Sequence, residues 1–286
     1  MSTVDLDHPD PESIPVRDAA TVMLLRDGST GLEVCMLQRN LKSDFVGGAY
    51  VFPGGGVDPE DAEADLEAVV VGRTDADASR LVGVERAGLA FWVAAIRESF
   101  EEAGVLLAVT RDDRVISFSD PAVAERFEVH RADVDSGRRR LAAVCVDEDL
   151  RLDAGGIHYF SRWVTPLGAP RRYDTRFFVA AAPEDQVALH DDHEVIGTRW
   201  LTPATALADH GAGLITMIFP TVRTMVALAR FTSAAEVLEH TAAQGAIEPV
   251  LPLIEDVGGG MRIVLPGDPE NTGGVYDAFT AEPLPG

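Results

Sequence analysis

The sequence predicts an α+β fold or an irregular α/β sandwich, and three observations carry that expectation. Strand-like and helix-like runs interleave along the 286 residues without a regular βαβ period. Hydrophobic residues make up 46% of the chain, enough for one sizeable core and a small accessory piece. A strand runs through a proline into three consecutive glycines ("VFPGGGVD"), and a helix crowded with acid follows ("IRESFEEAG").

Taken in order, residues 1–17 are acidic and proline-bearing and read as a loose arm. "AATVMLLRDG" reads as a strand ending in a turn and "LEVCMLQRN" as its hairpin partner. "GGAYVFPGGGVDPED" is a short apolar strand, a proline turn, and glycine backbone free to approach a ligand. The acidic, Ala-rich stretch "AEADLEAVVVGRTDADASRLVG" reads as partly helical, and residues 84–103 predict a strong helix. "RRYDTRFFVAAAP" and "HEVIGTRWLTP" predict strands, the second ending at Pro203. "ATALADHG" and "LITMIFPTVRTMVALARF" predict helices, the second broken near Pro220. "SAAEVLEHTAAQG" predicts another, capped by Ser233 and stopped at Gly245. The division expected is a main domain over 18–235 and an extension over 236–286, where two apolar runs flank a glycine turn as a hairpin.

Charge narrows the function. The net charge of −23 argues against bare attraction to nucleic acid or an anionic membrane. An anionic substrate then needs local arginines or a metal cation. Cys35 and Cys145 sit in apolar surroundings and read as buried thiols in a reducing compartment. No apolar run reaches the roughly 18 residues of a membrane span. The polar, acidic N-terminus does not read as a signal peptide, so a cytoplasmic protein is expected.

The acidic helix carries the chemistry. At about 100° per residue, Leu89, Val93, Ile96, Phe100 and Ala103 share one side. Glu98, Glu101 and Glu102 share the other, with Ala94 and Ala95 bordering them. A solvated acidic face is the ordinary meaning of such a pattern. Here Glu98 and Glu102 repel as an i,i+4 pair, and only Glu101 has a cation, Arg97, one turn before it. All three acids precede Gly104, the predicted end of the helix, where the macrodipole disfavours them. Three hard oxygen ligands on one rigid face suit Mg²⁺ or Mn²⁺, and a bound cation reverses both penalties.

Gly55 and "RESFEEAGV" over 97–105 resemble the Nudix box, G-x5-E-x7-R-E-U-x-E-E-x-G-U. Arg97, Glu98, Glu101, Glu102, Gly104 and Val105 match, whereas Ser99 stands at a usually apolar position. Six residues after Gly55 comes Asp61 rather than a glutamate. Arg97 follows it by 36 positions where the pattern has eight, so the box carries an insertion over about 62–90. The surrounding "LQRNLKSDFVGGAYVFPGGGVDPED", together with "RRYDTRFF" and the strand bearing Glu194, Arg199 and Trp200, is similar to the coenzyme A and acyl-coenzyme A diphosphatase branch of that family.

The resemblance covers about residues 18–235 and implies a Nudix α/β/α sandwich with a mixed sheet. It implies that Glu98, Glu101, Glu102 and the Gly54 carbonyl hold Mg²⁺ (or Mn²⁺), with Arg97 orienting a glutamate. It implies a diphosphatase: coenzyme A or an acyl-coenzyme A is split into a 4′-phosphopantetheine species and adenosine 3′,5′-bisphosphate. NADH, ADP-ribose or an oxidised nucleotide are rival substrates, and a non-catalytic metabolite sensor is a rival class. Glu98 or Glu194 is the expected base, with Asp191 and Asp192 as rivals and His190 and His193 as possible additions to a metal shell. Arg39, Arg171, Arg172 and Arg176 are candidates to pair with phosphates beside Gly55, because guanidinium forks match phosphate oxygens. A homodimer is a family-level expectation.

Overall fold

The computed structural model of the chain describes residues 11–42, 46–63, 66–191, 193–256, 261–268, 274–278 and 280–284. Its centre is the hairpin of β1 (Val16–Gly28) and β2 (Gly31–Arg39), closed with Gly28 opposite Gly31. There follow β3 (Tyr50–Val51), β4 (Gly54–Gly56), β5 (Val70–Val71), α1 (Asp75–Val82), α2 (Leu89–Ala103), β6 (Ala108–Thr110), α3 (Pro121–Asp135) and α4 (Leu141–Asp147). The second half adds β7 (Leu150–Asp153), β8 (Ile157–Val164), β9 (Arg172–Ala181), β10 (Val195–Leu201), α5 (Pro203–Gly211), α6 (Phe219–Leu228) and α7 (Ala234–Ala242). It ends in β11 (Leu253–Asp256), β12 (Met261–Val264) and β13 (Val275–Asp277).

The main sheet runs β10-β2-β1-β9-β8, with β3 on β2 and β4 on β1. The β1–β9 pair is parallel and the rest are antiparallel, so the sheet is mixed. Both faces are buried, which explains why β1 reads as a continuous apolar run. Ala20, Val22, Leu24 and Phe178 pack with α1 to α4 on one face. Met23, Leu25, Phe177 and Val179 pack with α5 to α7 and the C-terminal strands on the other. This is the α/β/α sandwich expected.

Several expectations change. Val16 and Arg17 of the predicted arm belong to β1, paired with Arg172 and Tyr173; residues 1–10 lie outside the described residues. The helix expected over 84–103 begins only at Leu89. Its first amides are met by α1 instead: Asp75 accepts from Ala87 N–H and Leu89 N–H, both at 3.0 Å, and Ser79 Oγ from Gly88 N–H at 2.9 Å. A Cβ on Gly88 would lie 2.3 Å from the Ser79 backbone, so only glycine lets the two helices meet. Pro220 does not break a long helix; it sits in the first turn of α6, where a missing N–H costs nothing. Ser233 caps α7 by accepting from Glu236 N–H at 3.2 Å, but the helix ends at Ala242, before Gly245.

The C-terminal hairpin forms as β11 and β12, joined by β13. Its turn glycines lie outside the described residues. It packs on its own chain: Ile263, Leu265 and Tyr276 are buried with α6 and α7. The inserted segment is built into the core as well, through Leu66, Val69, Ala78 and Val82. The sequence reading assigned nothing over β6 to β8, α3 and α4. α3 lacks a clean apolar stripe; it buries Phe127, His130, Arg131 and Val134.

Candidate active site

α2 ends where its sequence says it should. Gly104 takes a left-handed conformation (φ 66°), and its N–H returns to the Phe100 carbonyl at 3.0 Å. The helix is less amphipathic than its wheel suggests. Leu89 to Ile96 are all buried, Ala94 and Ala95 completely, because α2 is enclosed by the sheet and by neighbouring helices. The acids therefore occupy only the last two turns, beside β4. Ser99 is fully buried, as an apolar residue at its position would be, and its hydroxyl donates to the Val105 carbonyl at 2.9 Å.

Here the glycine strand meets the helix. β4 lies on β1 with Gly54 opposite Thr21, and Gly54 N–H donates to Glu102 Oε2 at 2.9 Å. A Cβ on Gly55 would fall 2.5 Å from Glu98 Oε1. The glycines therefore leave space for carboxylates to lie against bare backbone. Arg97 ties the two halves together. Its Nε and Nη2 grip both oxygens of Asp61 at 3.1 and 2.9 Å, and Nη2 also reaches the Gly56 carbonyl at 2.8 Å. Nη1 donates to Glu98 Oε1 at 2.8 Å and to Glu101 Oε2 at 3.1 Å. Arg97 thus fastens Asp61 and two glutamates at once, beyond the single glutamate expected.

The result is a cleft of about 440 Å³ bounded by Gly54, Gly55, Gly56, Glu98, Glu101 and Glu102. Arg39, Arg171 and Glu194 also line it. Burial pushes the Glu98 and Glu101 carboxyls up to about 7, against the pull of Arg97. Glu102 is raised well above the ordinary range, first by burial and then by the charge of Glu98. The Glu194 charge acts on both Glu98 and Glu102, so the loop glutamate does join the cluster. Its turn is ordered by Asp191, whose carboxylate accepts from the N–H groups of His193, Glu194 and Val195 at 2.9, 3.2 and 3.0 Å.

The donor set fits a hard divalent cation: carboxylate oxygens beside a glycine backbone, too close together to ionise freely. Among the described residues no three acidic, histidine or cysteine side chains form a finished ligand cage. Arg97 and the Gly54 N–H engage one oxygen on each glutamate.

Two predicted phosphate partners do not reach the cleft. Odd-numbered residues of β9, Tyr173 and Thr175, face it; Arg172 and Arg176 have the opposite parity. Arg176, 2% exposed, pairs with Asp18 at 2.8 Å and Asp174 at 3.0 Å and lies 4.2 Å over the Phe91 ring. Arg172 Nε donates to the Thr165 carbonyl at 3.2 Å. His190 and His193 do not line the cleft, and Asp192 lies outside the described residues. Sequence reasoning missed Asp135, which lines the cleft from α3, and Arg131. Arg131 donates to the carbonyls of Glu101, Glu102 and Leu189 at 2.9, 3.1 and 3.0 Å. Both sit on a helix whose periodicity gave little signal.

The family model for the NUDT19 Nudix domain matches residues 83–228, just over half of the chain. The chain belongs to the NUDT19 Nudix domain family. As a Nudix hydrolase it acts on diphosphate bonds. The match begins after the glycine loop. The Asp61–Arg97 and Gly54–Glu102 contacts join that loop to the matched part. The chain is similar to human acyl-coenzyme A diphosphatase NUDT19, at 29% identity over 83% of this chain and 72% of that one. It is similar to the Xenopus laevis enzyme of the same name, at 26% over 85% and 72%. A Nudix hydrolase crystal structure from Alicyclobacillus acidocaldarius superposes with TM-score 0.66 at 26% identity, over 83% of this chain and all of that one.

Proposed function

We propose that this Nudix hydrolase cleaves the diphosphate of coenzyme A or an acyl-coenzyme A with Mg²⁺ (or Mn²⁺). The observation that carries the reading is the convergence of Glu98, Glu101, Glu102 and Glu194 on the bare glycine backbone of β4. The likeness to acyl-coenzyme A diphosphatases supports the substrate class. Glu98, Glu101, Glu102 and the Gly54 carbonyl would hold the metal. Bound there, a divalent cation neutralises diphosphate charge and lowers the pKa of a coordinated water.

The chain does the rest. Arg97 fixes Glu98 and Glu101 through its bonds to both, and Asp61 fixes Arg97. Glu194, presented by the Asp191 turn, accepts a proton from the attacking water, with Glu98 as the alternative base. Arg39 and Arg171, on the cleft wall, pair with phosphate oxygens. The free thiols Cys35 and Cys145 are buried, which supports a reducing, cytoplasmic setting.

The test is turnover with Mg²⁺ on coenzyme A, an acyl-coenzyme A, NADH and ADP-ribose. The coenzyme A compounds are expected to be cleaved at the diphosphate with the highest kcat/KM; faster cleavage of NADH or ADP-ribose would replace the substrate. Glu102→Gln keeps an acceptor for the Gly54 N–H but loses the charge. It should lower kcat roughly 100-fold, the scale of losing one charge-stabilising group, with its melting temperature retained.

A further inference from the structure

Against the carboxylate cleft lies a second cavity, of about 350 Å³. Its lining is mostly apolar, with Phe52, Trp163 and Phe219 from the main domain and Ile254, Met261 and Ile263 from the C-terminal strands. Thr21, Arg39, Gly54, Tyr173 and Thr175 line both cavities, so an acidic space and an apolar space adjoin across these residues. Its size falls within the roughly 300–1,000 Å³ of small-molecule sites.

Ile254, Met261 and Ile263 belong to the C-terminal sheet, and that sheet is fastened down. Tyr276 packs edge-on against Phe219 of α6, with ring centroids 5.6 Å apart. The Tyr276 hydroxyl donates to Asp268, and Arg223 of α6 pairs with the same carboxylate at 3.3 Å. The Arg223 guanidinium also lies 4.9 Å over the Tyr276 ring. Tyr276 is fully buried. The extension is therefore a built wall of the site.

We propose that this chamber receives the acyl end of the substrate, and that β11 and β12, through Ile254, Met261 and Ile263, set the chain length accepted. The inference rests on reading the cleft as a coenzyme A-type diphosphatase. An acyl chain is the uncharged tail of such a substrate, and this chamber is the apolar part of the site beside the glutamates. An adenine base is a poorer occupant of the part lined by Ile254, Met261 and Phe219, because those side chains offer its ring nitrogens no partner. Each methylene moved from water into such a chamber gains roughly fourfold in binding.

The experiment compares kcat/KM for free coenzyme A with that for short- and medium-chain acyl-coenzyme A. It uses the full chain and its Ile254→Trp, Met261→Trp and Met261→Ala variants, with a melting temperature for each. The wild type is expected to favour the acylated forms. The tryptophan variants fill the chamber and should lower the ratio of medium-chain to free coenzyme A turnover by about tenfold or more. Met261→Ala should move the preference to longer chains. Equal losses on free and acylated coenzyme A, with melting temperature retained, would assign the chamber to a part common to both and overturn the proposal. An unaltered ratio in all three variants would overturn it as well. Absence of turnover on every coenzyme A compound by the wild type would bring down the reading of the cleft, and this inference with it.

Discussion

Asp61 stands six positions after Gly55, where the Nudix pattern has a glutamate, and the long insertion puts its partner far away in sequence. In space the two meet: Asp61 is 5% exposed and receives two bonds from Arg97. A shorter acid serves because the loop at Pro59–Ala62 brings it against the helix. Asp61→Asn should cost about 2 kcal/mol of unfolding free energy, below the roughly 3–5 kcal/mol for breaking a buried pair, because Gly56, Glu98 and Glu101 still hold the guanidinium. Urea unfolding measures it; an unmoved midpoint would remove Asp61 from the frame of the site. The acids of α2 were legible as residues. Their buried state was not, since a wheel describes one helix and not what encloses it.

At the scale of elements, α2 is the case where local electrostatics and tertiary structure oppose each other. Three carboxylates at a helix C-terminus add to the negative end of the macrodipole. Arg131 of α3 answers this by placing a buried guanidinium on the last carbonyls of α2. Arg131→Met keeps the hydrophobic stem and leaves three carbonyls without that donor. It should lower stability by about 2 kcal/mol or more, read as the shift in thermal unfolding. A melting temperature equal to wild type would mean that water replaces the guanidinium fully. β9 teaches the companion lesson. Its sequence predicts a strand, but a one-residue difference in parity sends Arg172 and Arg176 away from the cleft while Tyr173 and Thr175 face it.

For the whole molecule, the excess of 23 negative charges has one concentrated expression in this cleft. Glu98 and Glu101 titrate near 7 in the folded chain, against an ordinary value of 4.5. The folded protein therefore holds protons that the unfolded chain has released. The stability these groups contribute is full below about pH 4.5 and is lost as pH rises through about 7. With a chelator present, melting temperature should fall across that window, and the Glu98→Gln/Glu101→Gln double variant should flatten the fall. Millimolar Mg²⁺ should raise the melting temperature of the wild type at neutral pH, because a cation that binds only the folded state stabilises it. Indifference to Mg²⁺ would remove the metal from the cleft. Among the described residues no helix is long and apolar enough to cross a membrane.

Read locally, the sequence specifies the strands of the central hairpin, the helix ending at Gly104, the run of three glycines and the three glutamates. Each is written in local terms: alternation or runs of apolar residues, a glycine that accepts a left-handed backbone, and spacing along one helix. Tertiary structure alone decided that Asp61 closes on Arg97, that Arg131 meets the end of α2, and which arginines reach the cleft. It alone set the C-terminal sheet against an apolar chamber beside the glutamates. Those pairings join residues tens to more than two hundred positions apart. Burial, parity and charge there are properties of the packed layers, which no single segment carries.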